Sequence, residues 1–196
     1  MSVLRFGLAG GALAAMALTA GAAFAGSFDT EKVTTDRSLS SFESVYIAPV
    51  QADLNLDVIA YDPRGTGDRP VDKSDVEERA SDFHAALEKA FSKSYAIASA
   101  PGDGVLTVEA TLTDLASSRP TLADYKRQSG LSASSVYAGG GAMKAVLSEN
   151  GVVLAEVNDS FTSTLNDGRA RAWIWSDADR AFNQWSRNLV EFVGDH

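Results

Sequence analysis

The chain has 196 residues, of which 45% are hydrophobic and 22% charged, and its formal net charge is −9 at neutral pH. This composition suits one globular domain with a substantial core, and the acidic balance argues against nucleic acid and anionic lipid surfaces as partners, because both require clustered Lys and Arg. The absence of cysteine excludes disulfides, thiolate catalysis and cysteine-ligated metal centres.

The first 25 residues have the pattern of a secretory signal peptide. Arg5 gives a basic start, residues 6–24 are apolar, and Ala23 and Ala25 place small side chains at the −3 and −1 positions of a cleavage site. We therefore expect residues 1–25 to be removed and the remaining chain to be periplasmic or secreted, with no stable membrane anchor. A retained anchor is the alternative, which the glycines within the apolar stretch disfavour.

The chain that follows is expected to form one domain. Residues 26–41 are polar and predict an extended lead-in, whereas residues 42–51 are rich in β-branched and aromatic side chains and predict a strand. Residues 52–74 carry the prolines, glycines and aspartates of a loop. The predicted domain spans residues 42–196.

The first predicted helix runs from Asp75 to about Ser94. Ser74 stands three residues before Glu77, which is the spacing of a capping box. Apolar residues recur every three or four positions and form one stripe, made by Val76, Ala80, Phe83, Leu87, Ala90 and Phe91.

Strand patterns follow this helix. A short strand is expected at residues 95–98, and residues 105–115 alternate between apolar and polar side chains. Such alternation indicates a strand with one solvated face and favours antiparallel pairing. Residues 117–141 are rich in Ser and Gly and predict a flexible excursion.

The last part of the chain predicts a hairpin and a second helix. Asn150-Gly151 is a strong hairpin signal between strands over residues 142–147 and 152–161. An amphipathic helix is expected over residues 176–193, with Ser176 as its N-cap. The predicted fold class is therefore α+β, a two-layer sandwich with a mostly antiparallel five- or six-stranded sheet and two helices on one face.

The best candidate binding site is an Arg–Trp segment. Arg169, Arg171, Trp173 and Trp175 occupy alternate positions, so an extended backbone would place all four side chains on one side. Such sets are frequent in interfaces and in sites for carboxylates or sugars. The alternative is that the tryptophans belong to the core and the arginines pair with surface acids.

Other candidate motifs favour structural roles, and no catalytic residue, metal site or cofactor is expected. His84 and Glu88 are one helical turn apart and predict an ion pair rather than a general base or metal ligand. Residues 139–141, three glycines followed by Lys144, lack the other residues of a phosphate loop and predict a flexible entry into the hairpin. Six aspartates lie close together in and beside the predicted loop, and we expect them to be solvated rather than to bind calcium. They are Asp53, Asp57, Asp62, Asp68, Asp72 and Asp75.

Several segments together resemble a bacterial family of exported proteins known as domain of unknown function 3313. The resemblance covers about residues 40–193 and is carried by Val45–Val50, the helix around Phe83–Phe91, Tyr95–Ala98, Leu106–Asp114, Ala142–Ala155 and the closing helix with Trp185. Many members are lipoproteins attached through a cysteine, which this sequence lacks. The resemblance implies no catalytic residues, and its layout is similar to envelope assembly domains that bind other proteins.

The expected function is that of a non-enzymatic binding or accessory protein of the cell envelope, acting on an envelope protein or polymer. One alternative is a hydrolase that uses carboxylates, such as Asp159 or the loop aspartates with a bound cation. Another alternative is a small-ligand carrier with an apolar pocket between sheet and helices.

Overall fold

A computed structural model describes residues 28–54, 73–116, 139–163 and 174–196 of the chain. Within these residues, seven strands form one sheet and two long helices pack against it. In chain order, the elements are β1 (Thr30–Val33), a 3-10 turn (Leu39–Ser41), β2 (Ser44–Ile47), β3 (Gln51–Ala52), α1 (Lys73–Phe91), β4 (Ala96–Ile97), β5 (Val105–Ala116), β6 (Gly140–Glu149), β7 (Val152–Thr162) and α2 (Ser176–Asp195).

The sheet is mixed, with the strand order β1-β7-β6-β5-β2-β4, and β3 also pairs with β5. The neighbouring pairs β1–β7, β7–β6 and β6–β5 are antiparallel. In the other half of the sheet, β2 and β3 run parallel to β5, and β4 runs parallel to β2. The α+β class is confirmed, but the prediction of a mostly antiparallel sheet with five or six strands was wrong. The parallel half arises because α1 returns the chain across the sheet between β3 and β4, so strands on either side of the helix share a direction.

The N-terminal part of the described chain contributes to both the sheet and the core. β1 lies within the polar stretch 26–41, where no strand was expected, and pairs with β7 at the sheet edge. Phe28 is 8% exposed and Leu39 is fully buried. The predicted signal peptide (residues 1–25) and most of the predicted excursion (residues 117–141) lie outside the described residues.

The β6–β7 hairpin confirms the prediction made from Asn150-Gly151. Both residues have the positive φ that a type I′ turn requires, 51° at Asn150 and 78° at Gly151. β6 already begins at Gly140, so two of the three glycines expected as a flexible entry, Gly140 and Gly141, are strand residues. A Cβ atom at Gly141 would stand 2.9 Å from the carbonyl oxygen of Asp114, and the close approach of β5 therefore favours glycine there.

Both helices bury the predicted apolar stripes. α1 begins at Lys73, so Ser74 lies inside its first turn, and Trp175 rather than Ser176 holds the N-cap position of α2. The buried stripe of α2 includes Ala178, Ala181, Phe182, Trp185, Leu189, Phe192 and Val193. Of the helices that the structure describes, none has the length and apolarity to cross a membrane.

An aromatic cluster joins the two helices. The ring of Phe83 in α1 stacks on Phe182 in α2 with centroids 5.0 Å apart, and it meets the edge of Trp185 at 5.6 Å. All three side chains are at most 1% exposed. The cluster therefore fixes α1 relative to α2 and helps to position the surface of α1 described below.

The sheet face opposite the buried stripe carries polar groups. Lys144 on β6 and Glu156 on β7 form an ion pair with 2.9 Å between Nζ and Oε2. The hydrogen bond from Lys144 and its positive charge hold the pKa of Glu156 below its ordinary value.

Candidate functional site

The candidate functional site is a cleft of about 530 Å³ between the β3 segment and the first half of α1. Its volume falls in the range of small-molecule pockets. The described residues that line it are Pro49, Val50, Gln51, Ala52, Leu54, Lys73, Val76, Glu77, Ala80, Ser81 and His84. We refer to this set as the β3–α1 cleft.

The backbone on the sheet side of the cleft is arranged by a break in the strand at Pro49, which has no N–H group. Before the break, the Ala48 N–H donates to the carbonyl oxygen of Val108 at 3.0 Å, and after it the Asp53 N–H donates to Leu112 at 2.8 Å. β3 is thus held to β5 along one edge. β4 pairs only with the first half of β2, and no strand within the described ranges pairs with the other edge of β3.

The helix side of the cleft carries most of its charged and polar side chains. Glu77 and Ser81 lie one turn apart on α1, and the Lys73 ammonium is 3.6 Å from the Glu77 carboxylate. Val76 and Ala80, at 7% and 9% exposure, form the apolar floor. The cleft therefore combines an apolar floor with a polar rim, which is the usual character of a binding pocket.

His84 closes one end of the cleft. Its Nδ1 atom is 3.2 Å from the carbonyl oxygen of Ala48, and its Nε2 atom is 3.5 Å from the Glu88 carboxylate. The predicted pairing of His84 with Glu88 is confirmed. The contact with Ala48 adds a link from α1 to the strand, so the imidazole supports the cleft wall.

A second charged group surrounds Arg79, which is only 1% exposed. Its guanidinium lies 2.6 Å from Glu78, 2.7 Å from Asp82 and 3.8 Å from Asp179 on α2. It also sits over the ring of Trp175, 5.7 Å from the centroid. The three carboxylates and the aromatic ring offset the cost of burying this cation, and the group ties the two helices together.

The structure places one residue of the predicted Arg–Trp site. Trp175 is 3% exposed and packs beneath Arg79 at the start of α2. Arg169, Arg171 and Trp173 lie outside the described residues.

Asp159 lies on the core face of β7. Its Oδ1 atom accepts the Asp29 N–H at 3.3 Å, and Ser160 Oγ donates to Asp29 Oδ2 at 2.6 Å. Burial raises the pKa of Asp159, and the negative charge of Asp29 raises it further. Hydrogen bonds from the backbone N–H groups of Asp29 and Ser160 and from the indole of Trp185 lower the pKa by less than this rise. The two carboxylates fasten the N-terminal segment to β7, away from the β3–α1 cleft.

The predicted acidic loop is described only at its two ends, Asp53 and Asp75. Across the described parts of the chain, no group of three or more His, Cys, Asp or Glu side chains could hold a metal ion. Asp57, Asp62, Asp68 and Asp72 lie outside them.

The buried ionic group of Arg79, the contact of Asp29 with β7 and the cleft were not predicted from the sequence. A signal for Arg79 was present, because it lies three residues after Val76 and four before Phe83 in the apolar stripe of α1. A charged residue at such a position indicates a buried ionic group. Asp29 and the cleft depend on strand pairings that have no local signal.

Two solved structures show distant likeness. The PelC dodecamer from Paraburkholderia phytofirmans is 11% identical over 81% of this chain and 97% of that chain, with a TM-score of 0.41. Protein XCC0632 from Xanthomonas campestris is 14% identical over 83% of this chain and 91% of that chain, with a TM-score of 0.44. No curated protein matches the sequence.

The family comparison covers most of the domain. A family model described as protein of unknown function (DUF3313) matches residues 33–189, from the end of β1 into α2. This agrees with the family resemblance of the strand and helix segments. The chain belongs to the DUF3313 family of proteins of unknown function.

Proposed function

We propose that this protein is an exported, non-enzymatic binding or accessory protein of the cell envelope, and that it holds another envelope protein at the β3–α1 cleft. The proposal rests on the cleft itself, which has a volume of about 530 Å³ and an apolar floor and lies beside a strand edge that no described strand occupies. Strand edges and apolar pockets are the surfaces that proteins use to capture other chains.

Export is part of the proposal and rests on the signal-peptide pattern of residues 1–25. Mass spectrometry of the N-terminal peptide from the periplasmic fraction is expected to find a chain that begins at Gly26. Recovery of the protein only in the cytoplasm with Met1 at its N-terminus would contradict this part.

The Arg–Trp segment is proposed as a second contact with the same partner. Trp175 is buried beneath Arg79 and anchors the segment at the start of α2, so the contact is assigned to Trp173, Arg171 and Arg169, which precede it in the chain. Large aromatic and guanidinium groups contribute strongly to protein interfaces.

The test is crosslinking of the tagged, exported chain in living cells, followed by pull-down and mass spectrometry. We expect one dominant envelope protein, and we expect Trp173→Ala to reduce its recovery. Val152→Ala is the control, since Val152 is 65% exposed on the far hairpin. Recovery of no envelope protein by wild type would overturn the proposed function, and unchanged capture by folded Trp173→Ala would overturn the Arg–Trp contact.

A small-ligand carrier is a second candidate, because the cleft volume is also suited to a small molecule. Native mass spectrometry of the purified chain distinguishes it from the first candidate. A bound small molecule that disappears in Ser81→Trp supports the carrier, and a ligand-free wild-type spectrum together with a captured protein supports the accessory role.

A further inference from the structure

The backbone of β3 has one pair of hydrogen-bonding groups that no strand in the described part of the chain uses. β3 pairs in parallel with β5, Gln51 opposite Thr111 and Ala52 opposite Leu112. In a parallel ladder, each residue directs its N–H and C=O to the same side, and successive residues alternate. Since the Asp53 N–H donates to Leu112, the N–H and C=O of Ala52 point away from β5, toward the open edge.

Ala52 itself lines the β3–α1 cleft, so the cleft adjoins these backbone groups, and its volume of about 530 Å³ can receive a side chain. Val50 on the strand side and Ala80 on the helix side both line it and are each 9% exposed, and Leu54 packs against the same core. A strand added along β3 would direct alternate side chains toward the two faces of the sheet. One apolar side chain of such a strand would therefore enter the cleft.

The charge around the cleft selects the flanking residues of that strand. Glu77 and Glu88 stand on the helix side with side chains 68% and 50% exposed, and Asp53 is exposed at the end of β3. Lys73 is paired with Glu77. Because the chain as a whole carries a net charge of −9, an incoming segment with Lys or Arg on either side of its apolar residue is complementary.

We propose that β3 accepts an extended segment of the partner protein as an additional strand, with one apolar side chain in the β3–α1 cleft and basic residues at the acidic rim. This inference rests on the proposed function and specifies the form in which the partner is bound. Strand addition of this kind draws affinity from main-chain hydrogen bonds and specificity from the pocket.

The experiment uses fluorescent decapeptides with lysines at both ends and a central Val, Leu, Phe or Trp, and a matched set with glutamates at the ends. Binding to the full chain is measured by fluorescence anisotropy. Ser81→Trp blocks the cleft, and Ser92→Trp is its control in the exposed turn that follows α1. Ala52→Pro removes the outward N–H donor without touching the bonds to β5, and edge strands tolerate proline.

At least one lysine peptide is expected to bind, with affinity reduced about tenfold or more by Ala52→Pro and by Ser81→Trp and unchanged by Ser92→Trp. The glutamate peptides are expected to bind more weakly. Amide exchange gives an independent readout: the Ala52 N–H should exchange rapidly in the free chain and slow on peptide binding, whereas the Asp53 N–H should be protected in both states.

Failure of every lysine peptide to bind, or equal binding to wild type and both cleft variants, overturns the inference. An Ala52 N–H that is already protected in the free chain also overturns it, because the chain itself would then occupy the edge. The two proposals fail separately. Capture of an envelope partner by folded Ala52→Pro at the wild-type level would refute strand addition and leave the accessory role standing.

Discussion

Replacing Phe83 with leucine tests how the two helices are held on the sheet. Phe83 is fully buried and contacts the rings of Phe182 and Trp185, with centroids 5.0 and 5.6 Å away. Each aromatic pair contributes about 0.5–1.5 kcal/mol beyond the area it buries. Leucine keeps most of the apolar packing but loses both pairs and leaves part of the ring volume empty, so we expect a loss of about 2–4 kcal/mol in the free energy of unfolding.

This loss is measurable against a domain stability of about 5–15 kcal/mol, and a chain of this size loses roughly 2–4 °C in Tm for each kcal/mol. Urea unfolding followed by circular dichroism gives the difference directly. Phe161→Leu is the control, because Phe161 is only half-buried on β7, and it should cost less than about 1 kcal/mol. A Phe83→Leu loss below about 1 kcal/mol, or one equal to the control, would refute the account of the aromatic cluster.

Three further substitutions test individual contacts. Gly140→Ala should destabilise the chain by about 1–3 kcal/mol, because the new Cβ would overlap the backbone of β7, whereas Gly102→Ala has open space and should change stability by less than about 0.5 kcal/mol; equal effects in urea unfolding would contradict this. Since the folded state raises the pKa of Asp159, wild-type stability should fall as the pH rises through that pKa. Asp159→Asn should flatten this part of the stability profile and be the more stable form once the wild-type carboxyl group is ionised; a profile that matches wild type would count against it. Lys144→Gln should return the lowered pKa of Glu156 toward its ordinary value in a carboxylate NMR titration, and an unchanged titration would exclude Lys144 as the cause.

Elements governed by local chemistry were predictable from the sequence. The hairpin follows from Asn150-Gly151, because those residues adopt the positive φ of the turn at little cost. The two helices follow from their apolar stripes, which need no knowledge of the partner surface. His84 and Glu88 were paired correctly since both lie on one helix, one turn apart.

Elements that depend on distant partners were not predictable. β2 and β4 have four and two residues, and their parallel direction is set by the return of the chain through α1 rather than by any residue within them. β1 has no apolar pattern that would identify it as a strand, because three of its four residues are exposed at the sheet edge. In the sequence, Gly140 looked like a loop residue. Glycine is needed there because β7 approaches closely, and that contact exists only in the folded sheet.

The candidate site followed the same division. Arg79 carried a local signal, a charge within an apolar stripe, but its partners Asp179 and Trp175 belong to the other helix. The β3–α1 cleft has no sequence motif, since it forms where a two-residue strand faces a helix that begins about 20 residues later in the chain. Strand-edge geometry rather than a catalytic motif therefore defines this site.

The most direct test of the accessory role is site-specific photo-crosslinking in living cells, with the crosslinker at position 81 in the cleft or at position 92 in the exposed turn that follows α1. We expect position 81 to form an adduct with one dominant envelope protein and position 92 to form none. No adduct from position 81, or the same adducts from both positions, would contradict the claim that the cleft holds a partner.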